Sequence, residues 1–176
     1  NYLEECVGCN KFKRVRFAGG SEGTLVTISE AKLRLVAIPK VKGVAVLHCT
    51  ELIESMEATV ASLELDPAAV ELIGSMIIRQ AKSNLAYSRI TDFIEGDPEA
   101  LLVIELVVQT ETELKSKYND LKNRIRKGGW GYARVEKTDL KEQQKVWDVR
   151  KAGQGLMMNF PGEEKPFPFF DTTAIS

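Results

Sequence analysis

ALLVIELVV, residues 100–108, is apolar at every position except Glu105. A run of this length and composition predicts a central β-strand that is covered on both faces. Its single carboxylate needs a partner or a place at the rim of the sheet, because an isolated buried charge is costly. We expect Glu105 at an edge or rim, and the alternative is that it serves as a catalytic base.

Two helices are expected between a short apolar strand at residues 44–48 and this central run. Thr50 has the residue type of a helix N-cap. Apolar residues at helical spacing after it predict one buried stripe: Leu52, Met56, Val60 and Leu63. Asp66-Pro67 predicts the start of a second helix, since proline is favoured in the first turn. Its inner face is expected to hold Val70, Ile73, Ile77 and Ala81.

Two further helices follow the central run. A capping box is expected at the start of each helix, formed by Thr110 with Glu113 and by Asp139 with Glu142. Residues 130–136, between the two helices, are expected to form a strand. The resulting order after residue 43 is strand, two helices, strand, helix, strand, helix. It predicts an α+β fold in which helices cover one face of a small, largely antiparallel sheet. A ferredoxin-like arrangement fits, with an extra helix in the first crossover.

A glycine-rich turn lies before all of these elements. Gly19, Gly20 and Gly23 allow positive φ, so that the backbone N–H groups around Ser21 and Thr24 can face a phosphate. The alternative is a plain hairpin turn, since the pattern is neither a Walker loop nor a dinucleotide fingerprint. Residues 25–38 alternate and predict a strand with one solvated face. The segment PKVKG, residues 39–43, interrupts the pattern, and we place a domain boundary there.

Composition excludes several classes of protein. The chain has 176 residues and a net charge of -1, which argues against a broad nucleic-acid surface. No apolar run approaches the length of about 20 residues that spans a membrane, and no signal peptide is evident. Cys6 and Cys9 form a CxxC pair, but Cys49 and the single histidine, His48, do not complete a tetrahedral set. We therefore predict no metal site and a reducing cytoplasmic location. We also expect the chain to be a piece of a longer protein.

Three stretches together resemble one family. GSEGTLVTISEA, residues 20–31, resembles the closing segment of the flavin-binding domain in FAD-linked oxidases. This is the vanillyl-alcohol-oxidase superfamily, which includes D-lactate, glycolate and D-2-hydroxyglutarate dehydrogenases. FIEGDPEALL, residues 93–102, and VWDVRKAG, residues 146–153, resemble the substrate cap domain, as do PGEEKP at 161–166 and DTTA at 171–174. The last group is most similar to long members that carry an iron–sulfur module.

The resemblance implies two domains and two sets of site residues. Residues 1–39 would end a PCMH-type FAD-binding domain, and residues 40–176 would begin the cap. The residues expected to line FAD are Gly20, Ser21, Glu22, Gly23, Thr24, Val26, Thr27 and Ile28. Arg150 and Lys165 resemble the pair that holds the substrate carboxylate, an arginine fork supplemented by a point charge. The alternative for Arg150 is a helix-surface salt bridge with a residue such as Asp148 or Asp139.

The same resemblance implies hydride transfer from a D-2-hydroxy acid to FAD, with an iron–sulfur or quinone electron acceptor. The main phosphate-binding loop of the family and its downstream histidine-rich motif have no counterpart in this sequence. We therefore expect the fragment itself to bind no FAD and to be inactive, and we assign no catalytic residue. A homodimer and peripheral attachment to the inner membrane stay open. The rival hypothesis is a non-catalytic ferredoxin-like module for ligand binding or oligomerisation.

Overall fold

The computed structural model describes residues 21, 23–33, 35 and 37–158. The described residues up to 35 belong to one unit and residues 37–158 to another. The predicted boundary between residues 39 and 40 stays a prediction.

Residues 37–158 contain a four-stranded antiparallel sheet. Its strands are β1 (Val41–Cys49), β2 (Ala69–Gly74), β3 (Ala100–Val108) and β4 (Ala133–Lys137). Their order in the sheet is β2-β3-β1-β4, and every neighbouring pair is antiparallel. The apolar run that predicted a central strand is therefore an inner strand, as expected.

Four helices connect and follow these strands within the same unit. They are α1 (Leu52–Leu63), α2 (Ser75–Ser83), α3 (Glu111–Gly128) and α4 (Leu140–Met158), and a short 3-10 turn spans Ser88–Ile90. The segments β1-α1-β2 and β3-α3-β4 form the two halves of a ferredoxin-like unit. α2 is inserted between these halves, and α4 follows them. The predicted α+β class with a small antiparallel sheet is confirmed.

The sheet is covered on both faces. Side chains alternate along β1 and β3, so that each strand contributes to two hydrophobic layers. α1 and α3 pack over strand residues of the first layer, which include Ala45, Leu47, Leu102, Ile104 and Leu106. α2 and α4 pack over strand residues of the second layer, which include Val44, Val46, Ile73, Leu101 and Val103. This corrects the expectation that helices lie on one face only: an apolar strand with two buried faces needs cover on both.

The helix predicted to begin at Asp66-Pro67 is wrong in its first half. Residues 69–74 form β2, and the helix begins only at Ser75. Asp66 has a φ of 51°, which is not the extended geometry of an N-cap. Leu72 and Ile73 pair with Leu102 and Leu101 of β3, so that contacts with a strand distant in sequence decide the conformation. The extra helix consequently lies between β2 and β3 and not in the first crossover.

The buried stripe predicted on α1 is also wrong. Leu52, Met56, Val60 and Leu63 have 43%, 52%, 68% and 56% of their surface exposed. The buried face consists instead of the small residues Ser55, Ala58 and Ser62. The hydroxyl of Ser55 donates to the carbonyl oxygen of Leu52 at 2.6 Å, and that of Ser62 donates to the carbonyl oxygen of Ala58 at 2.7 Å. Both hydroxyls are thus satisfied inside the helix. Small side chains let α1 lie close to the sheet, and the large apolar ones then face outward.

α3 follows its sequence prediction. Thr110 and Glu113 form the capping box, and Gly129 ends the helix with a φ of 71°. Its predicted inner residues are all buried: Leu114, Tyr118, Leu121 and Ile125. Glu105 pairs with Val44 of β1 and Ala69 of β2, so that it does not lie on an edge strand. Its side chain is 17% exposed, and its Oε1 lies 3.8 Å from Nζ of Lys42, which supplies the expected partner.

The described residues before residue 37 form little regular structure. None of the described residues between 25 and 38 belongs to a strand. Leu25, Ile28, Leu33 and Leu35 are exposed. The described residues thus do not form the strand predicted from their alternation, and none of them pairs with another strand.

Candidate functional site

Arg150 lies on α4 and faces the edge strand β2. Its Nε donates to Oε2 of Glu71 at 2.9 Å. The Arg150 side chain is 41% exposed and that of Glu71 is 38% exposed, so that solvent reaches both groups. In the part of the chain that the structure describes, Glu71 is the partner of Arg150, and the two terminal guanidinium nitrogens make no hydrogen bond.

The salt bridge that was the alternative for Arg150 forms, but with Glu71 of β2 and not with Asp148 or Asp139. Asp148 accepts a hydrogen bond from Gln144 at 2.6 Å. Asp139 accepts from the backbone N–H groups of Lys141 and Glu142 at the start of α4. Both carboxylates are therefore engaged elsewhere, and the ion pair of Arg150 joins α4 to the sheet. Sequence reasoning missed Glu71 because it placed residues 69–74 in a helix.

The packing of α4 explains the position of Arg150. Val146 and Val149 are fully buried in the layer beneath α4. Gly153 lies against α2, where an added Cβ would come within 3.0 Å of Cδ1 of Ile77. This close contact fixes α4 next to α2. Arg150 directly follows a buried valine and so lies at the flank of the helix, where its long side chain reaches β2.

Several predicted site residues lie outside the described part of the chain. These are Lys165, Gly20 and Glu22. The distance between Arg150 and Lys165 is therefore not defined, and their pairing stays a prediction.

The glycine-rich segment forms a turn in which Thr24 bonds back to Ser21. The backbone N–H of Thr24 donates to the carbonyl oxygen of Ser21 at 2.9 Å, and its hydroxyl donates to the same oxygen at 2.6 Å. Gly23 has a φ of 79°, as a left-handed turn residue requires. Both donors of Thr24 are therefore occupied, and the role of the other turn residues at a phosphate stays a prediction.

The residues after the turn fit a different kind of contact with a cofactor. Val26 and Ile28 are exposed, and Thr27 between them is exposed as well. The backbone of this segment makes no hydrogen bond to other described residues. Its N–H and C=O groups are thus available to a ligand that approaches the main chain, as the predicted role of Val26, Thr27 and Ile28 requires.

His48 is a structural residue at the end of β1. It is fully buried. Its Nδ1 lies 3.3 Å from the carbonyl oxygen of Ala133, and its Nε2 lies 3.2 Å from the carbonyl oxygen of Phe93. In the tautomer that carries its proton on Nδ1, this nitrogen donates to Ala133, and Nε2 accepts the backbone N–H of Glu95 at 3.1 Å. Burial lowers the pKa of His48, although these backbone contacts partly offset the effect. The ring is therefore neutral and connects β1 to β4 and to the loop before β3.

A second polar contact fixes the start of α1 beside β4. Glu54 accepts hydrogen bonds from the N–H and hydroxyl of Thr50, at 2.9 and 3.1 Å, and from the N–H of Gly131. Burial alone would raise the pKa of Glu54, but these donors outweigh it and lower the pKa. α1 begins after Glu51, so that Thr50 binds Glu54 and is not itself the N-cap. The cluster supports the fold and presents no open site.

A shallow hollow of about 490 Å³ lies between the 3-10 turn and α4. It is lined by Ala86, Tyr87, Ile90, Asp148, Lys151 and Ala152. Arg150 is not among these residues, so that the hollow and the Arg150–Glu71 pair are separate features.

The described residues include no group of three or more histidine, cysteine, aspartate or glutamate side chains that could hold a metal ion. Cys6 and Cys9 lie outside this part of the chain. Among the helices that the structure describes, none is long and apolar enough to span a membrane.

Comparisons with known proteins find one matching family and several relatives that share one name. Residues 38–176 match the model of a family described as FAD linked oxidases, C-terminal domain. D-2-hydroxyglutarate dehydrogenase of Pantoea ananatis is 26% identical over 93% of this chain. The proteins of the same name from Escherichia coli and Pseudomonas putida are 25% and 23% identical, over 94% and 89% of this chain. The chain spans 17% of the length of the first two relatives.

Proposed function

This chain belongs to the family of FAD-linked oxidases, and on that premise we propose that the whole protein is a flavin-dependent dehydrogenase of D-2-hydroxy acids. The observation that carries the proposal is the family match, which covers residues 38–176. The relatives are named for D-2-hydroxyglutarate, which makes this acid the first substrate to test, before D-lactate and glycolate.

Arg150 supports the proposal as the residue that binds the substrate carboxylate. No described residue accepts a hydrogen bond from its terminal nitrogens, the side chain is 41% exposed, and a guanidinium fork matches a carboxylate in two hydrogen bonds. Lys165 would add a second positive charge. Together they would fix the orientation of the acid, which is a positioning contribution to the rate. FAD, when bound, would supply the acceptor for the hydride that leaves C2 of the acid.

The role of this chain is narrower than that of the whole protein. Of the residues assigned to the flavin, Val26, Thr27 and Ile28 offer backbone groups, whereas the donors of Thr24 are already occupied. We propose that the isolated 176-residue chain binds no FAD and has no activity. In the whole protein, the electrons would pass to an iron–sulfur or quinone acceptor in the cytoplasm or at the inner membrane.

The test uses the full-length protein that contains this chain. We expect the purified protein to show flavin absorbance, and anaerobic D-2-hydroxyglutarate to bleach it, while the L-enantiomer does not. Arg150→Lys should raise KM for the acid by about 10- to 100-fold, the equivalent of one lost charge-assisted hydrogen bond. Arg79→Lys is the matched control, since Arg79 forms an exposed ion pair with Glu99 at 3.4 Å.

Absence of flavin, or flavin that no D-2-hydroxy acid bleaches, would overturn the proposal. That outcome would favour the rival, a non-catalytic ferredoxin-like module for ligand binding or oligomerisation. The observed strand order suits both functions, because a fold of this kind hosts many activities.

A further inference from the structure

We propose that Glu71 is a positioning residue, which orients the Arg150 guanidinium to receive the substrate carboxylate. This inference rests on the proposed function, and specifically on the role of Arg150 in binding the substrate. It adds a residue on β2 that no sequence motif marks.

The contact with Glu71 leaves free the edge of the guanidinium that the two terminal nitrogens form. Glu71 accepts from Nε of Arg150 and from neither terminal nitrogen. A guanidinium is planar and has five N–H donors in a fixed arrangement. A hydrogen bond at Nε therefore restricts the plane of the whole group. The terminal nitrogens then present two parallel N–H donors, which is the arrangement that a carboxylate binds in a bidentate manner.

Glu71 is well placed for this purpose because it lies on the sheet. It pairs in register with Val103 of the central strand β3. Ile73, which points to the same face of β2, is fully buried in the layer beneath α4. The backbone that carries Glu71 is thus held by its pairing with β3 and by the packing of Ile73 beneath α4. Arg150 reaches it with a long side chain whose conformational freedom is worth about 2 kcal/mol, and holding that chain in advance lowers the cost of binding.

An ordinary surface ion pair is the competing explanation, and it predicts different behaviour. Both side chains are about 40% exposed, and a pair of this kind contributes about 0–1 kcal/mol to stability. A merely structural pair would affect the melting temperature and leave KM unchanged. A positioning role affects KM while the melting temperature stays constant.

The experiment compares Glu71→Ala and Glu71→Gln in the full-length flavoprotein. We expect Glu71→Ala to raise KM for D-2-hydroxyglutarate about 5- to 10-fold, with kcat within about twofold, because up to about one charge-assisted hydrogen bond is lost. Glu71→Gln retains an acceptor for Nε and should recover most of the affinity. Glu99→Gln weakens the exposed pair with Arg79 and should leave KM unchanged.

A binding measurement supplies a readout that does not depend on turnover. Glutarate has the carboxylates of the substrate without its reactive hydroxyl, and its dissociation constant can be measured by titration calorimetry. We expect Glu71→Ala to weaken glutarate binding by the same factor as KM. In Arg150→Lys, the added Glu71→Ala change should have no further effect, since Glu71 acts through the guanidinium.

The outcomes separate the two proposals. If Arg150→Lys raises KM and Glu71→Ala does not, Arg150 binds the substrate and the positioning role of Glu71 is wrong. If Glu71→Ala lowers the melting temperature and leaves KM unchanged, the pair is structural and the inference is overturned. If Arg150→Lys itself leaves KM unchanged, the carboxylate role of Arg150 fails, and the inference fails with it.

Discussion

Replacement of Val60 by glutamine on α1 should leave the stability of the chain almost unchanged, whereas replacement of Ala58 by leucine should reduce it. Val60 is 68% exposed and Ala58 is fully buried, although both lie on the same short helix. Complete burial of a valine side chain is worth about 1.5–3 kcal/mol. At most about a third of that is available at Val60, and glutamine recovers part of it through its better helix propensity.

We therefore expect a change below about 0.5 kcal/mol in the free energy of unfolding for Val60→Gln. Ala58→Leu adds three carbon atoms where α1 meets the sheet, and such overpacking costs about 1–3 kcal/mol. The assay is urea unfolding of the 176-residue chain, followed by circular dichroism and extrapolated to zero denaturant. A loss of about 2 kcal/mol or more in Val60→Gln would show that the outer stripe of α1 is buried, which would refute the argument.

Three further outcomes are expected for the same chain. Folded His48 is neutral, whereas the unfolded histidine takes up a proton below its ordinary pKa of 6.5. The free energy of unfolding should therefore fall as the pH drops below 6.5, by up to about 1.4 kcal/mol per pH unit. Urea titrations that give a constant free energy between about pH 7 and 5.5 would contradict this. Burial raises the pKa of Cys49 to about 12, so that iodoacetamide should label this thiol only after unfolding, as mass spectrometry can detect. Rapid labelling of Cys49 in the native chain would contradict this. Gly131→Ala should lower the free energy of unfolding by about 2–4 kcal/mol in thermal or urea unfolding, because a positive φ is combined with a clash against Leu47. Gly129 has a similar φ but open space around it, so that Gly129→Ala should lower the free energy by only about 1 kcal/mol.

The elements that the sequence predicts well are those whose local signals agree with their tertiary surroundings. The run at residues 100–108 has no solvated face, and it is an inner strand. Thr110 and Glu113 make the capping box of α3, and the apolar stripe that follows is buried. In both cases propensity, pattern and packing favour one conformation.

The wrong predictions come from patterns that two structures satisfy equally well. Val70 and Ile73 suit a helix by their spacing, but they lie on opposite faces of β2, because pairing with β3 decides the conformation there. The apolar stripe of α1 has helical spacing, but periodicity does not reveal which face of a helix meets the sheet. Ser55 and Ser62 take that face since their hydroxyls bind within the helix, and no sequence pattern distinguishes such serines from exposed ones.

The candidate site was predictable only in part for a related reason. Arg150 was found through resemblance, whereas its partner Glu71 depends on the placement of β2. The turn at Ser21 and Thr24 was predicted correctly from its residue types, but the direction of its donors is a matter of hydrogen-bond geometry. Residue types show which chemistry is available, and the tertiary structure decides which groups are already occupied.

The double cover of the sheet has a consequence for the way in which the native chain opens. β1 and β3 have a neighbouring strand on each side and a hydrophobic layer above and below, whereas β2 and β4 are each paired on one side in the described part of the chain. Release of the helices from one face leaves the two inner strands supported by the other. We therefore expect their amides to exchange with solvent only in global unfolding, as the slowest cooperative unit of the domain.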